Sequence, residues 1–300
     1  MSLIKKIRTV LDMIKFEHSI FALPFALTGA LLALRGLDLT PSEIAAKTAW
    51  IVLAMVAARS AAMAFNRVAD AEIDARNPRT KMRAIPAGAV SKTFTWGFIA
   101  FWAALFVFAS AMLNPLCLKL SPVALAVVLG YSYAKRFTAL SHLVLGFALG
   151  IAPAAAWIAV RGSLDPVILL LTGAVMFWTA GFDVIYSCQD AEFDRDEDLF
   201  SIPKSLGIAA ALRVARLLHV AMIALLGWLW SLVGLGWLGL AGIAVVAALL
   251  IYEHSLVSAD DLSRVNAAFF TVNGFVSVLF FVFWAADVLL ADSVSHVASL

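Results

Sequence analysis

Nine stretches of this chain are long and apolar enough to cross a lipid bilayer, at about 17–35, 46–66, 94–113, 117–134, 140–160, 166–187, 210–231, 235–252 and 267–290. That constrains everything else. A crossing helix needs roughly 20 mostly apolar residues, and only helices or closed barrels satisfy their backbone polar groups inside hydrocarbon. With 63% of 300 residues hydrophobic, 14% charged and a mean hydropathy of +0.95, a soluble globular domain is excluded. The expectation is an all-α integral membrane protein, one polytopic domain over 1–300 with nine transmembrane helices.

The first stretch follows Lys5, Lys6, Arg8 and Lys15 as a signal peptide would, but its apolar core is long and no small-residue cleavage site follows, so it reads as a retained anchor. Cys117 and Cys188 stand 71 positions apart, with no C-x-x-C pair, and suggest neither a disulfide framework nor a thiolate metal site. If the nine spans alternate, 17 of the 22 Lys and Arg fall on the N-terminal side; Arg35, Lys47, Lys119 and Arg161 fall opposite, and Arg59 lies inside a span. The positive-inside rule then puts the N-terminus in the cytoplasm. A multi-pass protein of the cell inner membrane is expected, its acidic mouth facing the cytoplasm.

The acidic residues carry the chemistry. Nine of the 20 Asp and Glu fall in two short segments at cytoplasmic span ends, one holding Asn66, Asp70, Glu72 and Asp74, the other Asp190, Glu192, Asp194, Asp196, Glu197 and Asp198. Asp70 and Asp190 are 120 positions apart, as are Asp74 and Asp194, the trace an internal duplication would leave. Residues four apart on a helix are neighbours, with Cβ atoms about 5–6 Å apart, so Asn66, Asp70 and Asp74 form one stripe. Like charges at that spacing repel, and a hard divalent ion with oxygen ligands is the natural counterweight. Magnesium typically takes one or two carboxylates and completes its shell with phosphate and water. Arg76, Arg79, Lys81 and Arg83 beyond the first motif and Lys204 beyond the second are suited to phosphate. Ionisable groups so near hydrocarbon mark functional sites by default.

These motifs resemble those of the UbiA superfamily of intramembrane prenyltransferases, an N-x-x-x-D-x-x-x-D followed by a D-x-x-x-D. The run Asn77 to Gly88 resembles that family's basic loop ending in R-x-x-P-x-G, and Tyr131 to Phe137 its Y-x-x-x-K-R-[FY] element. The resemblance implies a nine-helix bundle around a central cavity, with Mg2+ held between the two motifs and a prenyl diphosphate. Carried over residue by residue, Asn66, Asp70, Asp74, Asp190 and Asp194 are the metal-binding candidates, with Asp198 supporting, since Asp190, Asp194 and Asp198 form a ladder from which two D-x-x-x-D pairs can be cut. Arg67, Arg79, Lys81, Arg83, Lys135, Tyr186 and Lys204 are candidates for the diphosphate side. Asp70, Asp190, Asp183 and Arg136 are catalytic candidates, with Asp183, Asp190 or the diphosphate itself as the base. The implied partners are a polyprenyl diphosphate, an aromatic acid acceptor and the bilayer, with no nucleic acid and no obligate protein partner.

Glu17 and His18 stand in a segment that departs from the proline-centred opening of the ubiquinone-pathway members. It resembles a branch linked to menaquinone, which sets 1,4-dihydroxy-6-naphthoate beside 4-hydroxybenzoate as acceptor. Arg264, Asn266 and Asn273 near the last span are read either as site residues or as interhelical hydrogen-bonding groups. Other membrane classes fit the pattern less well. A cation-coupled transporter should hold its acids near the midplane on broken helices, whereas these gather at one face. A CDP-alcohol phosphotransferase should carry D-G-x-x-A-R, which is missing.

Overall fold

The computed structural model describes residues 3–14 and 22–298. Among them every regular element is helical: α1 (Leu3–Met13), α2 (Leu23–Leu34), α3 (Pro41–Ala69), α4 (Ala71–Arg76), α5 (Lys92–Leu113), α6 (Pro115–Gly130), α7 (Ser141–Arg161), α8 (Ile168–Ser187), α9 (Ala191–Asp196), α10 (Ile202–Leu206), α11 (Ile208–Val233), α12 (Trp237–Ser255) and α13 (Asn273–Ala298). A 3-10 turn (Tyr131–Arg136) extends α6, another (Cys188–Asp190) joins α8 to α9, and a π-helical segment (Ala267–Val272) precedes α13. Local chemistry sets several of the boundaries. Thr40 and Glu43 form a reciprocal capping box with Pro41 in the first turn of α3, Ser91 and Asn114 cap α5 and α6, and Gly162 and Gly234 end α7 and α11 in the left-handed conformation.

Eight of these helical stretches are long and apolar enough to cross a membrane. The count expected from the sequence is nine. The difference lies at 17–35, where residues 17–21, Glu17 and His18 among them, fall outside the described residues and Leu23–Leu34 forms α2, a 12-residue apolar helix of about 18 Å, short of a roughly 30 Å hydrocarbon core. Helix α2 is nonetheless part of the bundle: it packs on α7 and α13, and its Phe25 is fully buried between Trp178 and Phe280 at centroid distances of 4.9 and 5.0 Å. The pairs α3 with α5, α7 with α8, α8 with α11 and α12 with α13 complete the packing, while Phe101, Trp228, Trp237 and Ile251 project from the outer surface, as lipid contact requires.

Helices α7 and α8 approach closely where side chains are smallest. Gly146 and Gly150 lie one turn apart on α7 and face α8; a Cβ on Gly146 would strike the Met176 carbonyl oxygen, and one on Gly150 would stand 2.7 Å from the Thr172 oxygen. Gly97 on α5 has open space at the same point. Gly146→Ala is therefore expected to destabilise the protein by about 1–3 kcal/mol, read as a lowered melting temperature in detergent, while Gly97→Ala leaves it unchanged. Equal behaviour of the two variants would contradict this packing.

Helix α1 was not anticipated, being too short to register as a span. It buries Val10 and Ile14 against Ala64, Val90 and Ile99, and Thr9, Asp12 and Met13 contribute to the wall of the main cavity.

Candidate active site

A cavity of about 850 Å³ opens among α3, α7, α8 and the segments that follow α3 and α8. Both acidic motifs reach it. Asp70 stands between α3 and α4 with φ −93° and ψ 3°, and Asp190 between α8 and α9 with φ −102° and ψ 6°, so each long helix bends at its aspartate and continues as a six-residue stub. Backbone bonds persist through the first bend, from Asp70 N–H to Asn66 O at 2.9 Å and from Asp74 N–H to Asp70 O at 2.7 Å. The stripe expected of a straight helix is thus bent rather than interrupted. Asp74 and Asp194 occupy the same place on α4 and α9, and Asp70, Asp74 and Asp194 are 3, 4 and 9% exposed.

Each of three carboxylates has its own cation. Lys135 Nζ and Arg136 Nη2 reach the two oxygens of Asp70 at 2.8 and 3.1 Å, and the Asn66 amide donates to Asp70 at 3.2 Å. Arg83 Nη1 lies 2.7 and 2.8 Å from the two oxygens of Asp74, with Arg67 at 3.9 Å. Arg79 grips Asp190 through Nε at 3.0 Å and through Nη2, while its Nη1 donates to the Tyr186 hydroxyl at 3.1 Å. Burial by itself would weaken the charge on Arg79, but the bonds to Asp190 and Tyr186 outweigh it and raise its pKa. Asn77 adds a bond to Asp190 at 3.2 Å, and Asp194 takes one from Ser201. The two stubs are themselves tied. Arg76 Nε lies 2.8 and 2.9 Å from the two oxygens of Glu197, and this hydrogen bonding holds the Glu197 carboxyl below the usual carboxylate range.

Of the residues singled out from sequence, Asn66, Arg67, Asp70, Asp74, Arg79, Arg83, Lys135, Asp183, Tyr186, Asp190 and Asp194 line the cavity. Arg136 does not line it but supports Asp70 from behind, also bonding the Ala69 carbonyl at 2.8 Å. Lys81 is exposed and away from the wall. Asp198 is exposed, with φ 53°, and stands 3.7 Å from Lys204 beside a smaller pocket. The Asp ladder is thereby divided, with Asp190 and Asp194 facing the cavity and Asp198 outside it.

His142 escaped the sequence reading. It is 3% exposed; its Nε2 accepts the Ile202 N–H at 3.3 Å, so the hydrogen sits on Nδ1 and is donated to Asp183 Oδ2 at 2.7 Å. The available signal was a lone ionisable residue at the start of an apolar span.

The donor set suits a hard cation. Five oxygen-bearing side chains from two segments face one cavity, with no thiol on its wall. Among the described residues no three His, Cys, Asp or Glu side chains lie close enough to hold a metal alone, so any ion there would take part of its shell from the substrate, as magnesium does with phosphates.

A membrane bundle with paired carboxylate stubs and basic residues over one cavity is the arrangement an intramembrane group-transfer enzyme requires. The sequence profile of the UbiA prenyltransferase family matches residues 22–287, and the chain belongs to that family. It is similar to the 4-hydroxybenzoate octaprenyltransferase of Cupriavidus necator, 34% identical over 217 residues covering 70% of this chain and 74% of the relative. The 4-hydroxybenzoate solanesyltransferase of Synechocystis is also 34% identical, over 67% of this chain and 70% of its own. The apo structure of a UbiA homologue from Aeropyrum pernix superposes with a TM-score of 0.81 at 36% identity, over 91% of this chain and 98% of that one. A UbiA homologue from Archaeoglobus fulgidus bound to DMAPP and Mg2+ shares the fold with a TM-score of 0.68 at 19% identity, over 93% and 99%. The protein is a multi-pass membrane prenyltransferase, and the transporter reading is set aside.

Proposed function

We propose that the protein transfers a polyprenyl group from polyprenyl diphosphate to an aromatic acid of the 4-hydroxybenzoate type, with Mg2+, at the cytoplasmic face of the inner membrane. The observation that carries this reading is the convergence of Asp70, Asp74, Asp190 and Asp194 with Arg79, Arg83 and Lys135 on one cavity of about 850 Å³. Asn66 and the four aspartates would hold the ion, which when bound supplies electrophilic stabilisation of a departing diphosphate. The basic side chains that now neutralise these carboxylates are the ones available to the diphosphate oxygens, and arginine is the better matched to them.

Breaking the allylic carbon–oxygen bond sends its electron pair with the diphosphate. The remaining cation must meet a ring carbon before it meets water, which an apolar cavity favours. Attack by the ring is followed by loss of the ring proton, and Asp183 is the proposed acceptor: it lines the cavity and is oriented by His142 through a bond made with the other face of the imidazole already occupied. The names of the relatives favour 4-hydroxybenzoate over 1,4-dihydroxy-6-naphthoate.

A panel of both acceptors with one long-chain polyprenyl diphosphate tests the proposal on purified protein. Prenylated 4-hydroxybenzoate is expected with Mg2+, no product with chelator, and recovery when Mg2+ is restored. Failure to prenylate any aromatic acid under these conditions would overturn it.

A further inference from the structure

The cavity wall beside Asp190 is aromatic. Phe182, Tyr186, Phe269 and Phe270 all line it, and their rings touch: Tyr186 with Phe269 at 4.2 Å, Phe182 with Phe269 at 5.2 Å and Phe269 with Phe270 at 4.6 Å between centroids. Tyr186 in turn carries Arg79, whose guanidinium lies 5.4 Å above the ring and donates to the hydroxyl. The wall is therefore continuous with the grip on Asp190.

Two of the four rings come from the π-helical segment Ala267–Val272. Such turns displace backbone carbonyls from regular partners and recur at functional sites. Here the displaced groups have a dedicated partner. The Asn273 amide nitrogen lies 3.2 Å from both the Ala268 and the Phe269 carbonyl oxygens and 2.9 Å from Glu253 Oε1, so one of its two hydrogens is shared. Its oxygen accepts the Trp178 indole N–H at 2.7 Å. Trp178, Glu253 and Asn273 are all fully buried and come from three helices, α8, α12 and α13. Buried polar groups cost free energy unless satisfied, and the Asn273 amide meets that need for the two turn carbonyls, the Trp178 N–H and one Glu253 oxygen at once. Asn273, open to two readings from sequence, does not line the cavity.

We propose that Trp178, Asn273 and Glu253 are positioning residues that hold the π turn so that Phe269 and Phe270, with Tyr186 and Phe182, cradle the allylic cation and keep water from it until the acceptor attacks. This rests on the prenyl-transfer reading. Aromatic faces attract a desolvated cation by about 0.5–2 kcal/mol each. Once the diphosphate has left with the bonding pair, the cation has two fates. A π pair from the acceptor ring forms a carbon–carbon bond and a ring proton is lost, or a lone pair from water forms a prenyl alcohol and a proton goes to solvent. A loosened wall shifts the division towards the alcohol.

The test measures the ratio of prenyl alcohol to prenylated acid with Mg2+, labelled polyprenyl diphosphate and 4-hydroxybenzoate. Phe269→Leu is expected to raise that ratio about tenfold, Asn273→Leu to raise it similarly and Phe269→Tyr to restore it, with KM for the diphosphate within about threefold throughout. An unchanged ratio in Phe269→Leu, with both products falling in parallel, overturns the proposal, and Phe269→Leu decides the matter alone if Asn273→Leu does not fold. Absence of any prenylated acid from the unaltered protein would instead sink the prenyl-transfer reading, so the two failures are separable.

Discussion

Replacing Asp70 with alanine is expected to reduce prenyl transfer by about a thousandfold while leaving a folded protein. Preorganised charge that stabilises a leaving group commonly accounts for factors of this size. Asp70 gathers Asn66, Lys135 and Arg136 around one carboxylate, so its loss removes a proposed metal ligand and also releases two cations from their register. The fold should survive. Arg136 keeps its bonds to the Ala69 and Ser132 carbonyls, and the bend that follows α3 is made by backbone bonds on either side of the residue. Asp194→Ala is expected to behave alike, since its partner Ser201 remains as the cap of α10. Activity assays paired with thermal unfolding in detergent check both; near-normal turnover in either variant would remove the physical basis of the proposed site.

Asp183→Asn is expected to lower kcat by about 10²–10³, the usual reach of a positioned general base, with KM for both substrates changed by only a few-fold. The isosteric amide keeps the volume but cannot take up a proton, so ring-proton loss becomes slow. A primary isotope effect with ring-deuterated acceptor should then emerge where the unaltered protein shows little. His142→Asn, which can still donate to Asp183, should retain more activity than His142→Phe, which cannot. If Asp183→Asn turns over normally and shows no isotope effect, the proton leaves by another route.

The spans were legible in advance because hydrocarbon leaves a chain few choices, and a run of twenty apolar residues announces itself. The motif aspartates were legible for the complementary reason, since charge at a membrane boundary needs an explanation. The bends at Asp70 and Asp190 were not: a spacing of four suits a straight helix equally well, and the bend depends on what packs around the stubs. Helix α1 hid because a short amphipathic segment resembles any basic flank. His142 and Asn273 were single polar residues among apolar ones, and only the fold shows that one meets Asp183 and the other the carbonyls of a π turn. Nor could spacing say that Asp198 would face away from Asp190 and Asp194, because the chain turns through a left-handed residue there.

Carrying the aspartates on stubs beyond a bend has a mechanical consequence. Membrane helices tilt to match bilayers of different thickness. A rigid extension of α3 or α8 would swing Asp74 and Asp194 apart with every such adjustment, whereas stubs set off from the long helices at Asp70 and Asp190 and tied to each other by Arg76 and Glu197 would keep their spacing. The spacing of the two acidic stubs would then depend less on the tilt of either span than on that one ion pair across the mouth.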